Sequence, residues 1–194
     1  VSEDFYNVDI SSVDPDLDAD DWELTITGNV DDEQSYTYDD LTERSAENRF
    51  VSLRCVGEGG NGHKLDNALW QGIPIMDLVE PAGPDEGCCV MLHAADGFYE
   101  EFPLAALQDG FLAFGMNGDV LPRGHGYPAR ALIPGHWGEI NVKWLTEIEV
   151  LEAEAEGYWE ERGWHGTGPV NTVAKLHAVN GLEDGRTQVA GHAY

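Results

Sequence analysis

Arg123-Gly-His-Gly-Tyr-Pro-Ala-Arg130, continuing through Pro134-Gly-His-Trp-Gly138 to Asn141-Val-Lys-Trp144, concentrates what the rest of the chain lacks. The whole chain has ten Lys and Arg, and Arg123, Arg130 and Lys143 fall here with His125 and His136. Gly permits close backbone approach and unusual dihedrals, whereas Pro stiffens the chain. Gly and Pro at this density exclude a long helix and predict a stiff, irregular loop. Rare positive charge on such a loop suits an anion such as a phosphate or another oxyanion. The plainer reading is a surface loop whose bases pair with nearby acids.

Outward from this loop the patterning is mostly that of strands. Phe111–Met116 reads as a strand, Asn117-Gly118 as a hairpin turn, and Ala129–Ile133 as a strand leaving the loop. Trp144–Leu151 follows as another strand. Upstream, Trp22–Gly28 alternates apolar and polar residues, Phe50–Cys55 and Cys89–His93 read as buried strands, and Phe98–Phe102 returns after an Asp96-Gly97 turn. Short helices are expected at 39–44, with acids at its N-terminus, at 75–79, and at 103–110 behind Pro103. Val173–Val179 and Gln188–His192 predict two more strands. The sum is a strand-rich α+β fold with short helices. Three parts are expected: an acidic arm (1–21), a catalytic domain (22–170), and the opening of a C-terminal β-domain (171–194) that is cut short.

The net charge is −27, and the first forty residues carry fourteen acids and no Lys or Arg. Such self-repulsion opposes folding at low salt, while about 1 M salt shortens the screening length to roughly 3 Å. A salt-loving source is therefore expected, with most acids on a solvated surface. The charge argues against DNA, RNA or an anionic membrane as partner. An acidic tail for a basic protein is the rival, but these acids are spread along the chain. No apolar run approaches the length of a membrane span.

Gly57-Glu-Gly-Gly-Asn-Gly62 formally matches the G-x-G-x-x-G dinucleotide fingerprint after a strand, with Asp77 twenty residues beyond Gly57. The fingerprint needs a packed helix next, and Gly72 and Pro74 interrupt the chain instead. The three cysteines make no disulfide framework, and Cys88 and Cys89, adjacent in an apolar run, are expected to point to opposite faces. Cys55 follows Arg54 at a strand end, a setting that favours the thiolate that binds metal or attacks; the alternative is an inert buried thiol. No C-x-x-C or H-x-x-x-H spacing supports zinc, and no G-x-S-x-G elbow supports a serine hydrolase. A Cys55 pair with His63 or His125 stays open. So does a single metal held by Cys55, its other ligands coming from a cofactor whose phosphate sits in the basic loop.

Five segments in order carry a resemblance. They are Trp22-Glu-Leu-Thr-Ile-Thr-Gly28; Leu53-Arg-Cys55-Val-Gly57 with Trp70-Gln-Gly72; Asp96-Gly-Phe98 before Pro103; Met116-Asn-Gly-Asp-Val-Leu-Pro122 running into His125-Gly-Tyr-Pro-Ala-Arg130; and Pro134-Gly135 before Lys143-Trp-Leu145. Together with Tyr158-Trp159 and Arg162-Gly-Trp164, they resemble the molybdopterin-binding domain of the sulfite oxidase family. Phe5-Tyr-Asn-Val-Asp9 is similar to the opening arm of microbial, membrane-linked members, which is compatible with the extracytoplasmic part of an anchored protein. The resemblance implies the mixed, strand-rich fold of that family and a molybdenum–molybdopterin cofactor. Cys55 would be the protein ligand of molybdenum. Asp96, His125, Arg130, Asn141, Val142 and Lys143 would hold the pterin and its phosphate. Arg130 would also face substrate, with Trp164 where the eukaryotic enzymes have an active-site tyrosine.

The implied reaction is oxygen-atom transfer to sulfite or a similar anion, or the reverse transfer from a sulfoxide, with a separate electron-transfer partner such as a cytochrome. A non-catalytic binding domain is the other class. On the substrate side the chain departs from the eukaryotic pattern: Val-Gly-Glu-Gly-Gly follows Cys55 in place of Gly-Asn and two arginines, and Asn7 stands where the arm has an arginine.

Overall fold

The computed structural model describes residues 2–57, 62–84, 87–166, 168–172 and 174–193, and only the backbone of Lys175, His177, His192 and Ala193. Its strands and α-helices, in order, are β1 (Glu23–Gly28), β2 (Gln34–Thr37), α1 (Tyr38–Thr42), β3 (Glu47–Arg54), β4 (Leu65–Pro74), α2 (Met76–Val79), β5 (Cys89–Ala94), β6 (Tyr99–Pro103), β7 (Phe111–Met116), β8 (Asp119–Val120), β9 (Arg130–Leu132), β10 (Leu145–Leu151), β11 (Ala174–Gly181) and β12 (Thr187–Ala193). One five-stranded sheet runs β2-β1-β10-β5-β6, with β1 parallel to β10 and the other pairs antiparallel. The other runs β3-β4-β7-β8, and β9 also pairs with β7. β11 and β12 form a separate two-stranded sheet.

Alternation along the strands divides the apolar residues between two cores. Leu24, Ile26, Leu92, Phe102 and Ile148 of the first sheet pack with Leu112 and Phe114 of β7. The intervening β7 residues Phe111 and Ala113 point the other way, into a second core with Val51, Leu53, Trp70 and Phe5. A strand with both faces covered has no polar positions to spare, and all six residues of β7 are buried.

The short helices are set by local chemistry. Thr37 caps α1 in a reciprocal capping box with Asp40, and Asp39 and Asp40 sit in its first turn. The helix expected after Pro103 is a 3-10 turn over Leu104–Asp109, with Pro103 ending β6. At the Asn117-Gly118 turn both residues have positive φ, 56° and 90°, and β8 follows.

Two expectations change. The stretch judged to be interrupted by Gly72 and Pro74 is a ten-residue strand, β4, paired on both sides. Gly72 marks a register shift against β7, where an added Cβ would stand 2.0 Å from the Leu112 carbonyl oxygen. The glycine loop therefore leads into a strand rather than a helix, which removes the dinucleotide reading; residues 58–61 of that loop lie outside the described residues. Cys88 and Cys89 do not face apart. β5 begins at Cys89, so strand alternation does not reach Cys88, and the two sulfurs form a disulfide.

The acidic arm lies on the domain. Phe5 is buried against Trp70 and His125, and the Tyr6 amide donates to Asp66 Oδ2 at 2.8 Å. No described helix is long and apolar enough to cross a membrane.

Candidate active site

A cavity of about 320 Å³ opens where β3 ends. Cys55 takes the position after Arg54, its amide donating to the Lys64 carbonyl at 3.0 Å as the last rung beside the β3–β4 ladder. Its thiol is free and half-buried, and lines the cavity. The turn through Gly138 closes over this strand end. A Cβ at 138 would stand 3.0 Å from the Tyr6 hydroxyl and 3.3 Å from the Arg54 carbonyl oxygen, so glycine gives the approach its room. The Arg54 guanidinium lies over the Trp137 ring, 5.0 Å from its centroid.

The cations of the basic loop do not share one surface. Arg123 faces outward and ties down the arm through the Asp14 and Pro15 carbonyls and the Asp16 carboxylate. Arg130, on β9, is 5% exposed. Its terminal nitrogens donate to the carbonyls of His125 at 3.0 Å and Asn141 at 2.8 Å, while its Nε has no partner. Burial pushes its guanidinium down to about 10, opposed by the Tyr6 phenol and Asp9. Lys143 is almost enclosed; it pairs with the Asp9 carboxylate, donates to Asn7 Oδ1 at 2.5 Å and the Gly124 carbonyl at 3.0 Å, and sits 4.4 Å from the centroid of the Trp144 ring. Burial lowers its pKa and Asp9 opposes the shift. Trp144 itself holds a positive φ of 50°, unusual for a bulky residue, and its indole donates to the Arg123 carbonyl at 2.9 Å.

Cys55, Asp96, Arg130, Asn141, Val142, Lys143 and Trp164 all line the cavity. Within it Asn141 has its side chain committed: Oδ1 accepts from Ile133 at 2.7 Å and Nδ2 donates to the Trp137 carbonyl at 2.8 Å. Asp96 accepts from the Phe98 amide at 3.0 Å, which sets the turn. Trp164 is 48% exposed, packed against Trp159 at 5.7 Å. His125 stands apart from the cavity, behind Phe5. Its Nε2 lies 2.8 Å from the Ser2 carbonyl oxygen, an acceptor only, so that nitrogen carries the proton. Burial lowers its pKa, and Arg130 and Lys143 add to the effect.

The wall also holds groups that the sequence argument did not select. Tyr6 and Asp9 arrive on the arm, Trp137 on the loop, and Glu100, Glu139 and Glu160 from three separate segments. Burial raises the Tyr6 phenol well above its ordinary value. One signal was available for Glu100: it shares strand parity with Phe102, the inward face of β6. Nothing local marks Glu139 or Glu160.

A family model described as the oxidoreductase molybdopterin binding domain matches residues 11–159. The uncharacterized oxidoreductase YuiH of Bacillus subtilis (strain 168) is 31% identical over 147 residues, covering 74% of this chain and 72% of that protein. The mitochondrial sulfite oxidase of Drosophila melanogaster is 29% identical over 184 residues, covering 80% of this chain but 31% of that protein. In structure, the sulfane dehydrogenase SoxCD of Paracoccus pantotrophus superposes with a TM-score of 0.72 at 25% identity, over 92% of this chain and 46% of that one.

Proposed function

The chain belongs to the oxidoreductase molybdopterin-binding domain family, and from that premise we propose that it transfers one oxygen atom between its molybdenum cofactor and a small oxo compound, with sulfite or a similar anion as the first substrate class. The residues present fit the group. Cys55 offers one soft sulfur ligand on the cavity wall. Among the described residues no cluster of three or more His, Cys, Asp or Glu is placed to hold a metal alone; with Cys55 as the protein's ligand, the cofactor would supply the others. Arg130 carries a buried Nε–H with no partner, a donor that an anionic group in the cavity would satisfy. A free thiol and a guanidinium with an orphaned N–H, both lining one cavity, carry the reading.

When bound, the cofactor supplies the two-electron redox change and the exchangeable oxygen. The protein's part is positional. Cys55 would ligate the metal, Arg130 and Lys143 would meet the phosphate, Val142 and Asp96 would line the pterin, and His125 would act at second hand, through the carbonyl that orients Arg130. Trp164, partly exposed at the cavity edge, would face substrate as an apolar wall, because an indole has only an N–H to donate. Electrons would leave through a separate transfer protein such as a cytochrome.

A second reading, reduction of an uncharged oxo compound such as a sulfoxide, draws on a specific observation. Glu139 and Glu160 line the cavity, and a carboxylate on its wall repels a doubly charged anion.

The test is metal content together with turnover. Made in a host that builds the cofactor, the folded chain is expected to hold about one molybdenum. Cys55→Ser should keep the fold and lose both sulfite oxidation and sulfoxide reduction to background. Normal turnover in that variant, or a folded wild type devoid of molybdenum, would overturn the assignment.

A further inference from the structure

Glu100 is the strangest group on the cavity wall. It is fully buried, and neither carboxylate oxygen makes a hydrogen bond of ordinary geometry to a described residue. Such a group is strongly unfavourable as an unpaired anion. No described Lys, Arg or His pairs with it. What faces it instead, from the turn after β10, is Glu160. Both carboxylates converge on one point: a Cβ added to Gly157 would stand 1.7 Å from Glu100 Oε1 and 2.8 Å from Glu160 Oε2. Glu160 is held in that place by the Gly157 amide, which donates to its Oε2 at 2.7 Å. Two carboxyl groups that converge on one point, one of them sealed from water, do not readily both ionise, and the stable form keeps one proton on the pair.

We propose that Glu100 and Glu160 share one proton at the cavity wall and exchange it with the oxygen atom that the reaction transfers, an inference that rests on the oxygen-transfer reading above. Glu160, partly exposed and facing the cavity, is the group that meets substrate oxygen or its water; Glu100 acts through it as a positioning residue and proton store. In the reductive direction a sulfoxide takes two electrons and two protons. Its S–O bond breaks and the oxygen leaves as water. The electrons come from an external one-electron donor acting twice, one proton comes from the carboxyl pair, and the other from solvent. In the oxidative direction water supplies the oxygen: the same pair accepts one of its two protons, solvent takes the other, and the two electrons leave one at a time to an external one-electron acceptor.

The groups facing Glu100 all act in one sense. Burial raises its pKa to about 9, the Glu160 carboxylate adds to the shift, and Glu139 adds further; the backbone at Trp159 opposes them. Burial also raises Glu139, to about 7, with a further push from Glu160.

The experiment compares wild type, Glu100→Gln and Glu160→Gln, each purified with its cofactor and assayed for molybdenum before use. Dimethyl sulfoxide reduction by a reduced viologen dye is followed across the pH range. Glu100→Gln is expected to keep its molybdenum and KM, to lose about a hundredfold in kcat, and to lose the alkaline limb of the pH profile. Glu160→Gln removes a neighbouring negative charge, so its alkaline limb should move to lower pH. Infrared spectra near pH 8.5, where Glu139, raised only to about 7, has ionised, should show a protonated carboxylic acid carbonyl in wild type that is absent from Glu100→Gln, a readout independent of turnover. Loaded Glu100→Gln with kcat within about twofold of wild type and an unchanged pH profile would overturn the proposal, as would persistence of the infrared band. Failure of the earlier reading looks different: all three proteins would then lack molybdenum.

Discussion

Glu100 keeps its proton where an ordinary carboxyl has lost it, and this gives the fold a pH dependence of defined sign. Its folded value is raised from 4.5 to about 9, chiefly by burial. Between those values the native state holds a proton that the unfolded chain has released, so stability falls as pH rises through the window. Below it both states are protonated and the group is silent; above it the fold must bury a charge. Glu139, raised to about 7, acts in the same direction over a narrower range. Glu100→Gln removes the larger dependence. The variant should melt close to wild type near pH 4.5 and above it at pH 8, by a gap on the order of 5 °C. Thermal unfolding at the two pH values checks this, and parallel curves would mean that Glu100 is ionised in the native state.

At the scale of elements, β4 shows why a glycine that breaks one pattern supports another. Gly72 and Pro74 read locally as interruptions, yet the strand continues through them because β7 passes so close that no side chain fits. Gly72→Ala would drive a methyl group into the Leu112 carbonyl, 2.0 Å from the ideal Cβ position. The sheet must shift, at about 3 kcal/mol or more, and Tm should fall on the order of 10 °C. A variant that melts within a degree or two of wild type would show that the β4–β7 bulge relaxes freely. The same contrast marks what the sequence reveals. Strands with one apolar face, such as β1, are legible because the pleat imposes period two on the residues themselves. Cys55, Arg130 and Lys143 are legible because scarce residue types stand in ordered motifs. The arm's seat is not, since Tyr6 meets Asp66 and Lys143 meets Asp9 across separations that no local pattern encodes. His125 illustrates the limit within a motif: its place in sequence is that of a cavity residue, but Phe5 covers its ring and Ser2 takes its proton donor.

For the molecule as a whole, electrostatics set the outcome through numbers of charges rather than single pairs. Thirty-seven acids face ten Lys and Arg, so most carboxylates have no cation to meet. Salt weakens both the repulsion among them and the few attractions, and burial decides which loss is larger. The Lys143–Asp9 pair, with side chains 10% and 14% exposed, is shielded from ions and keeps the arm seated. Arg123–Asp16, at 46% and 88%, is an exposed pair of small worth at any ionic strength. The attraction that matters is therefore the part that salt reaches least, while the repulsion is spread over the surface, where salt reaches it fully. Raising sodium chloride from about 0.1 M to about 1 M shortens the screening length from roughly 10 Å to roughly 3 Å. Tm should then rise by on the order of 10 °C, with most of the gain at the low end of the range, where the screening length changes fastest. Lys143→Met separates the two effects: it should lower Tm at every salt concentration without flattening the rise. A wild-type Tm that is level or falling over that range would mean that paired charges, not the excess of 27, govern this fold.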